Sequence, residues 1–90
     1  LAERSKALGG HADCNLARML ERSSIAEHQG TSTPLDMIAA LLNAEETLAA
    51  TLKSSGALAA EHGDTLTEDL CIARGQTHEK FAWMLRAHLR

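Results

Sequence analysis

Tyrosine is absent from this 90-residue chain, and Phe81 and Trp83 are its only phenyl and indole rings. A core without rings must be built from Leu, Ile, Met and Ala, and alanine buries little surface per residue. A chain of this size buries only about 60–65% of the surface its unfolded form exposes. A lone bundle of this composition is therefore weakly stable, which favours oligomerisation or a further partner segment. Positive charge is scarce too. Lys6, Lys53 and Lys80 are the only lysines, no basic run occurs, and the net charge is −3. That argues against this segment gripping a nucleic-acid backbone by itself. No apolar run approaches the roughly 18 residues of a membrane span, and no signal peptide is visible. The chain opens on Leu1, so the natural N-terminus is expected upstream.

Cysteine is sparse and unpatterned. Cys14 and Cys71 are far apart, and no Cys-x-x-Cys occurs. Zinc-knuckle and thioredoxin chemistry lose their signal. Two reduced thiols in a cytosolic protein are the expectation, and nothing supports a bridge between them.

What is present reads as helix. Leu1 to Leu8 has the pattern of two final turns of a helix begun earlier, with Lys6 suited to the C-terminal dipole. Gly9-Gly10 ends it, because glycine tolerates the left-handed conformation past a helix end. Leu16, Met19, Leu20 and Ile25 predict a short amphipathic helix around 14–22. Gly30 to Thr33 is a polar connector. Thr33 caps the next helix, paired with Asp36, and Pro34 sits at its first position. That helix runs to about His62, with Ile38, Leu41, Leu42, Leu48, Leu52 and Ala59 as its apolar stripe. Ser54-Ser55-Gly56 weakens its middle by about 1 kcal/mol and predicts a kink or break. His62-Gly63 ends it. Asp64 or Thr65 caps the last helix, and Thr65 with Glu68 has capping-box spacing. Acids at its start and Arg86, His88 and Arg90 at its end complement the dipole. Leu66, Leu70, Ala73, Thr77, Phe81, Met84, Leu85 and Leu89 are its expected apolar face, with Trp83 expected in the core. Gly75 costs stability there unless another backbone packs close.

The order of the motifs carries a resemblance. Ala2-Glu3-Arg4 and Ala7-Leu8-Gly9-Gly10 come first. Pro34-Leu35-Asp36-Met37 follows, and then Gly63-Asp64 with Thr67, Asp69 and Leu70. Lys80, Trp83, Ala87, His88 and Leu89 close the chain. Together these resemble the Dps miniferritins over nearly the whole length. The resemblance implies an all-α, ferritin-like four-helix bundle, with residues 1–90 forming one partial domain. The chain would supply the end of the second helix plus the third and fourth. Departures exist: Arg86 stands for an acidic residue, Glu79 for an aspartate, and Arg74 and His78 occupy positions that are often apolar in the family.

The resemblance also implies a chemistry. Dps proteins oxidise ferrous iron at a ferroxidase centre shared between two subunits, store it as ferric mineral, and shield DNA under stress. Of the family's ligands only the glutamate falls in this chain, at Glu3. A carboxylate held on a rigid helix suits iron, although taken alone Glu3 reads as a solvated or Arg4-paired surface acid. Asp64 and Asp69, and less so Glu68, match acids that line pores on three-fold axes, where a carboxylate ring draws in ferrous ions. The same acids would stabilise any helix start. The five histidines show neither His-x-x-x-His nor Glu-x-x-His spacing, so a di-iron site of the larger ferritin-like bundles has no support. No triad or nucleophile elbow can be assembled from the serines and Cys14.

Two functional readings follow. In the first, the chain belongs to an iron-oxidising, iron-storing subunit of a twelve-membered homo-oligomeric shell. Ferrous iron and peroxide or oxygen would be its substrates and the cytoplasm its location. Nucleoid or DNA contacts would arise from segments outside this chain. In the second, it is a non-catalytic helical assembly module that lacks the ferroxidase ligands.

Overall fold

The structure, a computed structural model, describes residues 1–12, 15–25 and 33–89. Among these the chain is helical: α1 (Ala2–Ala7), α2 (Leu16–Arg22), α3 (Pro34–Glu61) and α4 (Thr65–His88). The molecule measures 43 × 29 × 17 Å. Its long dimension is the length of α3, since 28 residues at about 1.5 Å each span about 42 Å.

Each boundary has a local cause. Gly9 has φ +84° and Gly63 has φ +71°, so glycine closes α1 and α3 in a conformation other residues avoid. Thr33 Oγ1 accepts from the Asp36 amide at 3.2 Å, and Pro34 follows at the first turn. Asn15 caps α2 by accepting from the Arg18 amide at 3.2 Å. The cap of α4 is Asp64. Its partner is Thr67, one residue before the Glu68 that the capping-box spacing selects.

The α3–α4 pair holds the core, and small residues build it. Leu52, Gly56 and Ala59 of α3 and Cys71 and Ala82 of α4 are its buried positions. Among the described residues, Leu52 is the one buried side chain larger than cysteine. A Cβ added to Gly56 would stand 3.3 Å from Cys71 Cβ, so glycine lets the two helices approach closely. This corrects the expected break: α3 continues without interruption through Ser54-Ser55-Gly56. The Ser54 hydroxyl is occupied by the Ala50 carbonyl at 3.2 Å, and the glycine is used for packing.

The expected face of α4 is corrected as well. Leu66 and Phe81 are exposed, and Trp83 is 64% exposed rather than core. Periodicity finds apolar residues, whereas close approach selects small ones. Gly75 has no atom within 4 Å of the position its Cβ would take. No backbone packs against it, and it instead opens a groove beside Gly56, Cys71 and Ile72. Cys71 is a free, buried thiol. Cys14, His28, the connector over 30–32 and Arg90 lie outside the described residues. Among the described residues no helix is long and apolar enough to cross a membrane.

Candidate functional site

Glu3 stands on α1, a helix of 6 residues with no buried member. Its side chain is exposed. Its neighbour Arg4 is half-buried. Arg4 Nη2 donates to Asp64 Oδ1 at 2.9 Å, and Arg4 Nε donates to Thr67 Oγ1 at 2.9 Å. This two-pronged grip joins the first helix to the start of the last one. Sequence reading named Arg4 only as a potential neighbour of Glu3; a contact across 60 residues leaves no local signal.

Asp64 is fully engaged. Oδ1 accepts from the Thr67 amide at 3.1 Å as well as from Arg4. Oδ2 accepts from the Thr67 hydroxyl at 2.5 Å. The Thr67 hydroxyl first and its amide second hold the Asp64 carboxyl below its ordinary value of 3.8 against the opposing effect of burial, with Arg4 a smaller contributor. Two of the three site acids expected from the sequence are thus joined through one residue, because Arg4 follows Glu3 and grips Asp64. The third, Asp69, lies apart from them on the first turns of α4 and is exposed. Glu68 beside it is half-buried.

Iron takes carboxylate oxygens and imidazole nitrogens from several residues at once. Among the described residues, no group of three or more His, Cys, Asp or Glu is placed to hold a metal ion. Glu3 therefore has the right donor chemistry and lacks companions within this set.

A second polar group lies midway along the helix pair. His78 Nδ1 is 2.5 Å from Glu45 Oε2, and its Nε2 is 3.1 Å from Arg74 Nη2. Phe81 meets the His78 ring edge-on at 6.0 Å between centroids. Arg86 pairs with Glu46 at 3.2 Å on a more exposed stretch. Histidine spacing offers no partner for His78, and the structure makes it an inter-helix tie. Arg74 and His78 are visible as departures from the resemblance, yet Glu45, the partner of His78, lies 33 residues away.

The match to known proteins extends over the whole length. The ferritin-like domain family matches residues 1–90. The crystal structure of Dps from Staphylococcus aureus superposes with a TM-score of 0.95 at 27% identity, covering 99% of this chain and 60% of that one. This chain belongs to the Dps branch of the ferritin-like family. Dps from Thermosynechococcus elongatus superposes equally well, at 0.95 and 30% identity over 99% of this chain and 57% of its own. Among curated relatives, general stress protein 20U of Bacillus subtilis is 37% identical over 89 residues. DNA protection during starvation protein 2 of Bacillus anthracis is 36% identical over 89 residues. The chain spans 61% of the length of each of these two. The all-α arrangement is that of the Dps four-helix bundle, of which α3 and α4 are the long antiparallel pair.

Proposed function

We propose that this chain is part of a Dps-type miniferritin subunit that oxidises ferrous iron, stores it, and protects DNA from oxidative damage. One observation carries the reading. A Dps-like sequence and fold run through 99% of the chain, which supports reading the solvent-facing Glu3 as the iron ligand that the resemblance implies. Ferrous iron is the substrate. Each ferrous ion gives up one electron, and the acceptor, hydrogen peroxide in preference to oxygen, is reduced to water. DNA is protected because the two reactants of hydroxyl-radical chemistry are consumed together.

Glu3 would be one ligand of that centre. The residues described here supply no second and third donor beside it, so the remaining ligands come from a neighbouring copy or from other segments. That requirement fits a homo-oligomer, with a twelve-subunit shell as the family assembly and the cytoplasm as its compartment. Asp69, exposed near the start of α4, is free to line an entry pore. Asp64 also matches a pore acid of the family by resemblance, and it is engaged by Arg4 and Thr67, so a cation there would have to displace the guanidinium. The second reading, a non-catalytic assembly module, draws on the same lack of a metal cluster and on the exposed apolar residues of the helix pair.

Ferrous oxidation by the full-length protein, followed by absorbance, tests both. Glu3→Ala slows the reaction while the native size stays that of the parent; an unchanged rate removes Glu3 from the centre. Asp69→Asn slows uptake at low ferrous concentration; unaltered uptake returns Asp69 to helix-start chemistry. A parent protein that oxidises iron no faster than buffer establishes the assembly-only reading.

A further inference from the structure

The His78 ring joins an acid of α3 to a base of its own helix. Its side chain is 13% exposed, and that of Glu45 is 21% exposed. A ring so covered has two nitrogens to satisfy. Nδ1 lies 2.5 Å from Glu45 Oε2, and Nε2 lies 3.1 Å from Nη2 of Arg74, one turn earlier on α4. A guanidinium carries donors only. The bond to Arg74 therefore exists only while Nε2 keeps its lone pair, which means while the ring is uncharged. The bond to Glu45 has no such condition, because Nδ1 carries a proton in both states and a carboxylate accepts from either. The two bonds of one ring thus respond differently to a proton.

We infer that His78 is a proton-operated switch that holds Arg74 when the ring is neutral and releases it when the ring is charged, with Glu45 bonded in both states. The proton comes from solvent and adds to Nε2. The Arg74–Nε2 bond breaks, and the group changes from neutral to singly positive. Two cations then face each other where a hydrogen bond had been, so Arg74 turns away. The Glu45 bond becomes an ion pair, which is stronger than a neutral one, and α3 stays joined to α4. The charged groups around the ring allow this. From α3, Glu45 faces it, and the adjacent Glu46 is engaged by Arg86. On α4, Glu79 lines a different groove with Lys53 and Gly75, and His88 lines a recess with Glu45 and Phe81. Arg4 of α1 is taken by Asp64 and Thr67. Among the described residues, Arg74 bonds to no side chain except His78, so nothing retains it once Nε2 is protonated.

Histidine is the side chain whose charge ordinarily changes between about pH 5 and 8, and crystal structures of the full-length assembled protein at those two limits read the switch. At about pH 8 Arg74 is expected on Nε2. At about pH 5 it is expected out of hydrogen-bond reach, with Glu45 still on Nδ1. His78→Gln is the control. Its amide donates to Glu45 and accepts from Arg74 without titrating, so Arg74 stays in place at both limits. Thermal unfolding gives the answer in solution. Arg74→Met is expected to melt about 2–4 °C below the parent at the upper limit, and at or above the parent at the lower one. Arg74 still bonded to Nε2 in acid, or Glu45 leaving in its stead, overturns the inference. So does release of Arg74 from His78→Gln, since the trigger would then be another group. If His78→Gln does not assemble, Arg74→Met carries the test, and an equal loss at both limits overturns the inference.

Discussion

Gly56 and Gly75 offer the same substitution in two surroundings, and the structure gives the two outcomes opposite signs. Both glycines lie inside long helices, α3 and α4 respectively. In each case alanine removes the backbone-entropy penalty of glycine, worth about 0.8–1.0 kcal/mol. At Gly75 no atom lies within 4 Å of the new Cβ, so the whole gain is kept. For a domain of this size about 1 kcal/mol raises the melting temperature by about 4–8 °C. At Gly56 the new Cβ would stand 3.3 Å from Cys71 Cβ. That carbon is fixed to the α4 backbone and cannot swing away, so the helices must part along their tightest seam. Overfilling a packed seam costs about 1–3 kcal/mol, which cancels or exceeds the propensity gain. Gly75→Ala is therefore expected to melt several degrees higher than the parent, and Gly56→Ala at or below it. Thermal unfolding followed by far-ultraviolet circular dichroism reads both. Adding Cys71→Ala to Gly56→Ala gives no recovery, since alanine keeps the Cβ. Equal upward shifts for the two single variants would refute the claim that Gly56 sets the α3–α4 separation.

Two further tests address the polar ties. The Asp64 carboxyl has its folded-state pKa below the ordinary 3.8, held there first by the Thr67 hydroxyl. A lowered value means that its stabilising effect is fully present above 3.8 and is lost as the pH falls through the folded-state value. The stability difference between parent and Asp64→Asn, measured by urea unfolding, is thus expected to shrink as the pH falls below 3.8; a difference that stays constant would refute it. At His78 the Arg74 guanidinium can only donate, so Nε2 accepts and the ring proton sits on Nδ1, facing Glu45. Long-range proton–nitrogen spectra of the uncharged ring should show the Nδ1–H tautomer, and Glu45→Gln should cost about 1.5 kcal/mol in urea unfolding. An Nε2–H tautomer, or no loss of stability, would count against the tie.

Much of the architecture was readable from local chemistry. Gly9, Thr33 with Pro34, and Gly63 each mark a helix end by a conformation or a bond that only a few residue types supply, and each stands where that logic put it. The short helix near 14–22 followed from Leu16, Met19 and Leu20. The misreadings share one physical origin. Ser54-Ser55-Gly56 looks weak because propensity scores each residue alone, whereas Gly56 is needed by Cys71 on the other helix. Phe81 and Trp83 looked like core because they are large. The seam between α3 and α4 instead admits residues with little side chain, such as Ala59 and Ala82, and leaves the rings outside. The site was legible only in part. Glu3, Asp64 and Asp69 were named through resemblance, while the Arg4 grip and the Glu45–His78–Arg74 group required the fold. Long-range pairs of charged residues carry no periodicity, and only their spatial meeting reveals them.

The tight turn at His62 and Gly63 has a consequence for the order of assembly. Contacts along the helix pair enclose loops that lengthen steadily with distance from that turn. Gly56 and Cys71 close 15 residues (71 − 56), while Glu46 and Arg86 close 40. Chain-closure entropy grows with the logarithm of loop length, which favours the inner contact by about 0.9 kcal/mol. The pair should therefore zip outward from the bend, docking Gly56 on Cys71 early and Arg86 on Glu46 late. Fraying would run the same track in reverse, starting at the open ends near Pro34 and His88.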